Sequence, residues 1–76
     1  MHTQNPTAEY VEKVYHWQYS RTNCFSDLLF DLMGKSDHQN LRKLQNAFPE
    51  HWAALNAWDN ADNNGDDLFR EFGLMK

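Results

Sequence analysis

A chain of 76 residues with a formal net charge of −4 has room for one domain. At this size folding buries only roughly 60–65% of the unfolded surface, so modest stability is expected. The single cysteine, Cys24, excludes an intrachain disulfide framework, and the negative charge disfavours nonspecific contact with nucleic-acid phosphates. Met1 is followed by polar residues and no apolar run approaches the length of a membrane span, so a soluble, cytoplasmic protein is expected.

Residues 1–4 read as a loose tail and 5–76 as a single helical domain. Asn5 suits a helix cap and Pro6 a first helical turn, where its missing N–H costs nothing. The helix that follows runs to about Tyr19. Tyr10, Val14 and Trp17 form its apolar stripe, and Val11 with Tyr15 a flanking one. The most apolar stretch, residues 25–33, predicts a central helix around which the rest packs. Cys24, Leu28, Leu29 and Leu32 share one face, Phe25 and Phe30 widen it, and Asp27 and Asp31, four apart, mark a solvated face. Thr22 or Asn23 can cap its start, and Gly34 can end it in a left-handed conformation.

Ser36 and Gln39 have the spacing of a capping box that opens a third helix. Its seam is Leu41, Leu44 and Phe48, with Arg42 and Lys43 beside it in solvent. Pro49 pushes Phe48 out of helical geometry and suits the first turn of a fourth helix, giving a tight corner. In that helix Trp52, Leu55 and Trp58 are spaced by three, and Ala53, Ala54 and Ala57 permit close approach. Residues 59–67, nearly all Asp, Asn and Gly, read as the longest loop. Leu68, Phe69 and Phe72 then form a short closing helix that Gly73 stops, with Leu74 tacked down in a Schellman-type contact. The expected fold is all-α, a compact bundle of four helices plus a short C-terminal fifth.

The catalytic constellations are sparse. A Cys24 on an apolar helix face is an inert small hydrophobe rather than a nucleophile. His2, His16, His38 and His51 include no close ligand pair such as i and i+4, so neither a zinc site nor any other cofactor is expected. There is no glycine-rich phosphate loop, and an enzyme is not expected. A helix-turn-helix reading of the third and fourth helices fails because the Phe48-Pro49 turn is too short and the second of them carries no basic residue. Direct nucleic-acid binding is therefore not expected.

The sharpest candidate site is the window 60–71, which resembles a calcium-binding EF-hand loop. Asn60, Asp62 and Asn64 fall at positions one, three and five, Gly65 at the sharp turn, Asp66 at seven and Glu71 at the bidentate twelfth. Three departures count against it: Asn60 stands where aspartate is usual, Asp67 replaces an apolar residue, and Asp59 precedes the window where an apolar residue is usual. The competing reading is a polar interhelical turn.

Five Phe, three Trp and three Tyr exceed what a minimal core requires, so some aromatics are available for a partner surface. Tyr10, Tyr15, Trp52 and Trp58 are the candidates for a protein interface. Rival readings are an acidic nucleic-acid mimic built on Asp59, Asp62, Asp66, Asp67 and Glu71, and self-association of a marginal bundle.

The order Trp17, Arg21-Thr22-Asn23, Phe25, Leu28-Leu29, Asp37, Asn40, Leu44, Ala47-Phe48-Pro49, Trp58, Phe69, Gly73 resembles small uncharacterised helical proteins of tailed phages and prophages. The resemblance covers most of the chain and supplies no catalytic or binding residue. What it implies is a class of roles: binding a host or competitor protein, defence machinery included, and redirecting or inhibiting it.

Overall fold

The computed structural model describes residues 5–75; residues 1–4, expected to be a loose tail, lie outside them, as does residue 76. Five helices follow in order: α1 Ala8–Tyr19, α2 Phe25–Lys35, α3 His38–Ala47, α4 Pro49–Asn60 and α5 Asp66–Glu71. No strand occurs among the described residues, and no helix is long and apolar enough to cross a membrane.

The core is made where α1, α2, α4 and α5 meet. Val11, Val14 and Trp17 come from α1, Leu29, Phe30 and Met33 from α2, Ala54 and Leu55 from α4, and Leu68 and Phe69 from α5. The hub is not α2: α4 packs against all four other helices and α1 against three of them, whereas α2 meets chiefly α1 and α4. Removing water from these side chains is the main stabilising term, at roughly 25 cal/mol per Å² of apolar surface. Helix α3 buries no residue and packs chiefly on α4, where Leu41 and Leu44 are only half-covered.

Several helix ends differ from the sequence reading. Thr7, β-branched and extended, takes the N-cap position of α1, so Asn5 and Pro6 precede the helix. Gly34 stays helical, and α2 runs on to Lys35, whose charge suits the negative end of the helix. There Ser36 Oγ donates to the Leu32 carbonyl at 2.6 Å, which closes α2 instead of opening α3. The cap of α3 is Asp37, one residue later, whose Oδ1 accepts the Asn40 N–H at 2.8 Å. A carboxylate is the stronger acceptor at a helix N-terminus, so it takes the site from the serine hydroxyl.

Other ends are as the sequence implies. Phe48 serves as both the C-cap of α3 and the N-cap of α4, with Pro49 at the first position of α4. At the C-terminus Gly73 has φ +77°, the Leu74 N–H reaches the Phe69 carbonyl at 2.8 Å, and the Gly73 N–H reaches Arg70 at 3.1 Å. These are the paired hydrogen bonds of a Schellman motif.

Candidate functional site

The register of α2 decides what the surface offers. With Leu29, Phe30 and Met33 turned inward, Phe25, Leu28 and Leu32 are turned out, at 61%, 53% and 52% exposure. This corrects the expectation that Leu28, Leu32 and Cys24 lie on the buried face; Cys24 is exposed too. Positions 25, 28 and 32 are i, i+3 and i+7, so the three side chains form one ridge along the helix. The ridge continues beyond α2, since the Phe25 ring lies 5.5 Å from that of the half-buried Phe48 at the α3–α4 corner.

The aromatics expected at an interface are on α1 and α4 rather than on α2. Tyr10, Tyr15, Trp52 and Trp58 are all partly buried and packed against the core. Tyr15 meets Phe69 edge to face at 5.0 Å, and Trp58 meets Trp17 in the same way at 5.4 Å.

On the α1 side of the same helix lies a cleft of about 650 Å³, bordered by Tyr10, Lys13, His16, Cys24, Asp27 and His51. Asp27 is at its base and is 1% exposed, the opposite of the solvated face expected for it. Its Oδ2 accepts the Thr22 N–H at 2.7 Å and lies 3.3 Å from Thr22 Oγ1. His16 Nδ1 lies 3.2 Å from Oδ1 and 3.1 Å from Oδ2, and the Cys24 thiol faces the same carboxylate. Burial pushes this carboxyl up, yet the Thr22 N–H, His16 and Cys24 together outweigh it and hold it below the usual range. One turn on, Asp31 accepts Trp17 Nε1–H at 2.9 Å and pairs with Arg21 at 3.3 Å.

The fold thus gathers an imidazole, a thiol and a carboxylate whose donor atoms all lie within 4.8 Å of one another. Sequence spacing concealed this, because His16 and Cys24 belong to different elements and meet only after residues 20–24 reverse the chain.

Beside the cleft, Ser26 Oγ lies 3.0 Å from His51 Nε2. The His51 ring sits among Tyr10, Phe25, Phe30 and Phe48, with centroids 4.8 to 6.0 Å away. Burial pushes its pKa below the ordinary 6.5, helped by Lys13 and opposed by Glu50 and Glu9. A base with a depressed folded pKa contributes stability that is present above about pH 6.5 and lost as pH falls through the folded value. The melting temperature should therefore drop between about pH 7 and about pH 5, and His51→Gln should flatten that drop. Thermal melts across this window check it; an equal slope in the variant would place the titration elsewhere.

The EF-hand-like window is not an open loop. Asn60 is the last residue of α4, Asp66 the first of α5 and Glu71 the last of α5, which leaves only residues 61–65 between the helices. Asn63 and Asn64 both have φ +59° and Gly65 has φ +89°, so the chain turns in a short left-handed run that asparagine and glycine tolerate. Two of the acidic groups are engaged within the chain. Asp66 Oδ1 accepts the Tyr19 hydroxyl at 2.6 Å, and Asp67 Oδ1 accepts from Asn63 and Arg70, both at 2.9 Å. Those two bonds hold the Asp67 carboxyl low against the opposing effect of burial, the Asn63 bond being the larger. Asp62 and Asn64 are exposed.

No protein-family model, curated protein or solved structure matches the chain.

Proposed function

We propose that this protein is a small non-enzymatic binding module that receives an amphipathic helix of a partner protein along the Phe25–Leu28–Leu32 ridge. The observation that carries the reading is the ridge itself: three large apolar side chains, each more than half exposed, aligned over two turns of one helix. Holding such a row in water is unfavourable, and apolar anchors at i, i+3 and i+7 are the pattern by which one helix docks on another. The ridge rests on a rigid support, since the opposite face of α2 carries Leu29, Phe30 and Met33 in the core.

Charge selects the occupant. The chain carries −4, so a second copy would bring like charge, whereas a helix flanked by lysine or arginine would be drawn in and oriented. The phage resemblance makes a host or defence protein the class of partner, and covering its helix would block whatever that helix normally binds.

The double variant Leu28→Glu, Leu32→Glu tests this. Both positions are exposed, so stability should change by no more than about 0.5 kcal/mol while partner binding is lost. Paired captures with wild type and variant, with cross-links mapped from Lys35, should identify a basic helical segment held only by wild type. A partner retained equally by both proteins would sink the assignment. A wild-type dimer that the variant abolishes would give the ridge to a second copy instead.

A further inference from the structure

We infer that His16, Cys24 and Asp27 form a zinc site at the corner between α1 and α2, with its fourth position open to the cleft. The three donors come from separate points of the chain: the last turn of α1, the N-cap of α2 and the first turn of α2. They nevertheless lie within 4.8 Å of one another. Zinc binds imidazole nitrogen and carboxylate oxygen at about 2.0–2.2 Å and thiolate sulfur at about 2.3 Å, so the edges of a tetrahedral site measure roughly 3.3–3.7 Å. The His16 Nδ1 to Asp27 separations of 3.1 and 3.2 Å already lie close to that edge. Only the Cys24 sulfur has to draw in, and Cys24 is exposed at a helix end where its side chain can turn.

The surroundings suit a metal in three further ways. The Thr22 N–H, 2.7 Å from Oδ2, fixes the Asp27 carboxylate from behind, as groups next to metal ligands do, and the carboxylate is 1% exposed. The His16 side chain is 42% exposed, which gives an ion a path from solvent. One thiolate, one carboxylate and one neutral imidazole bring two negative charges to a doubly charged ion, so the loaded site is electrically neutral. On binding, the thiol proton leaves to solvent and a zinc–sulfur bond forms, with no change of oxidation state. A mixed nitrogen, sulfur and oxygen set favours zinc over calcium or magnesium, which prefer all-oxygen surroundings. Three protein ligands and one open position are the arrangement of zinc sites that exchange or activate a fourth ligand.

Cobalt(II) serves as a coloured probe. The full-length chain under reducing conditions, titrated with cobalt, should bind one equivalent and develop both a thiolate-to-metal charge-transfer band and the visible bands of tetrahedral geometry. Zinc added afterwards should bleach them. Cys24→Ser should abolish the charge-transfer band, and Cys24→Ser and His16→Gln should each weaken zinc binding by more than the roughly 10–100-fold that losing an outer partner costs. Both positions have accessible side chains, so circular dichroism should show that the variants remain helical. His2→Gln and His38→Gln should bind as wild type does. No charge-transfer band in the wild type at millimolar cobalt, or full binding by Cys24→Ser, overturns the site.

Discussion

Gly65→Ala should cost about 3 kcal/mol or more, a large part of the roughly 5–10 kcal/mol that holds a chain of this length together. Two effects add. Gly65 has φ +89°, a conformation that an alanine side chain opposes. A Cβ at this position would also land on the Trp58 indole, which leans directly against the glycine backbone. That ring cannot easily yield: it is packed against the core and meets Trp17 edge to face. The two effects separate in a double-mutant cycle. In a Trp58→Ala background the steric part disappears, so Gly65→Ala should then cost only about 1 kcal/mol, the backbone contribution. Urea denaturation of the four proteins measures the difference. A wild-type cost below about 1 kcal/mol would mean that Trp58 does not pack on Gly65.

Helix ends and helix faces were legible in the sequence to different degrees. Pro49 and Gly73 act through backbone constraints that no tertiary contact can override, and both do what their chemistry dictates. The face of α2 was not legible. Residues 25–33 carry so many apolar side chains that two overlapping stripes fit the 3.6-residue period, and periodicity cannot choose between them. The choice is made by polar groups on α1. Trp17 Nε1 draws Asp31 inward and His16 draws Asp27, and once those two carboxylates face α1, Leu28 and Leu32 must face water. The hydrogen bonds that created the cleft thus also created the ridge, and each depends on partners more than ten residues away. The reading of Asp27 and Asp31 as a solvated pair failed for the same reason.

In the calcium-like window a local pattern meets a competing helix start. Asp62, Asn64 and Glu71 have loop spacing on paper, but Asp66 and Asp67 are good first-turn residues for a helix, and α5 begins at Asp66. Helix formation shortens the turn and commits both carboxylates to partners within the chain.

Asp27→Ala should be the most damaging change at a polar position, at about 3 kcal/mol, with a milder loss of about 1 kcal/mol for Asp27→Asn. Among the described residues Asp27 is the one polar side chain in the buried core, and the Thr22 N–H, the Thr22 hydroxyl and His16 all converge on it. Alanine removes the acceptor on which they converge, so the part-buried Thr22 N–H loses its partner and the reversal at residues 20–24 loses its anchor. Asparagine has the same shape. Its carbonyl can take the two Thr22 bonds and its amide can face a His16 Nδ1 that carries no proton, so most of the network survives. Urea denaturation gives the two free energies, and amide exchange gives the location: protection of the Thr22 N–H should collapse in the alanine variant and persist in the asparagine one. Equal losses for the two variants would mean that Asp27 contributes through its charge rather than its hydrogen-bonding shape. A loss below about 0.5 kcal/mol for alanine would mean that this corner is held by apolar packing, and that the register of α2 is set without Asp27.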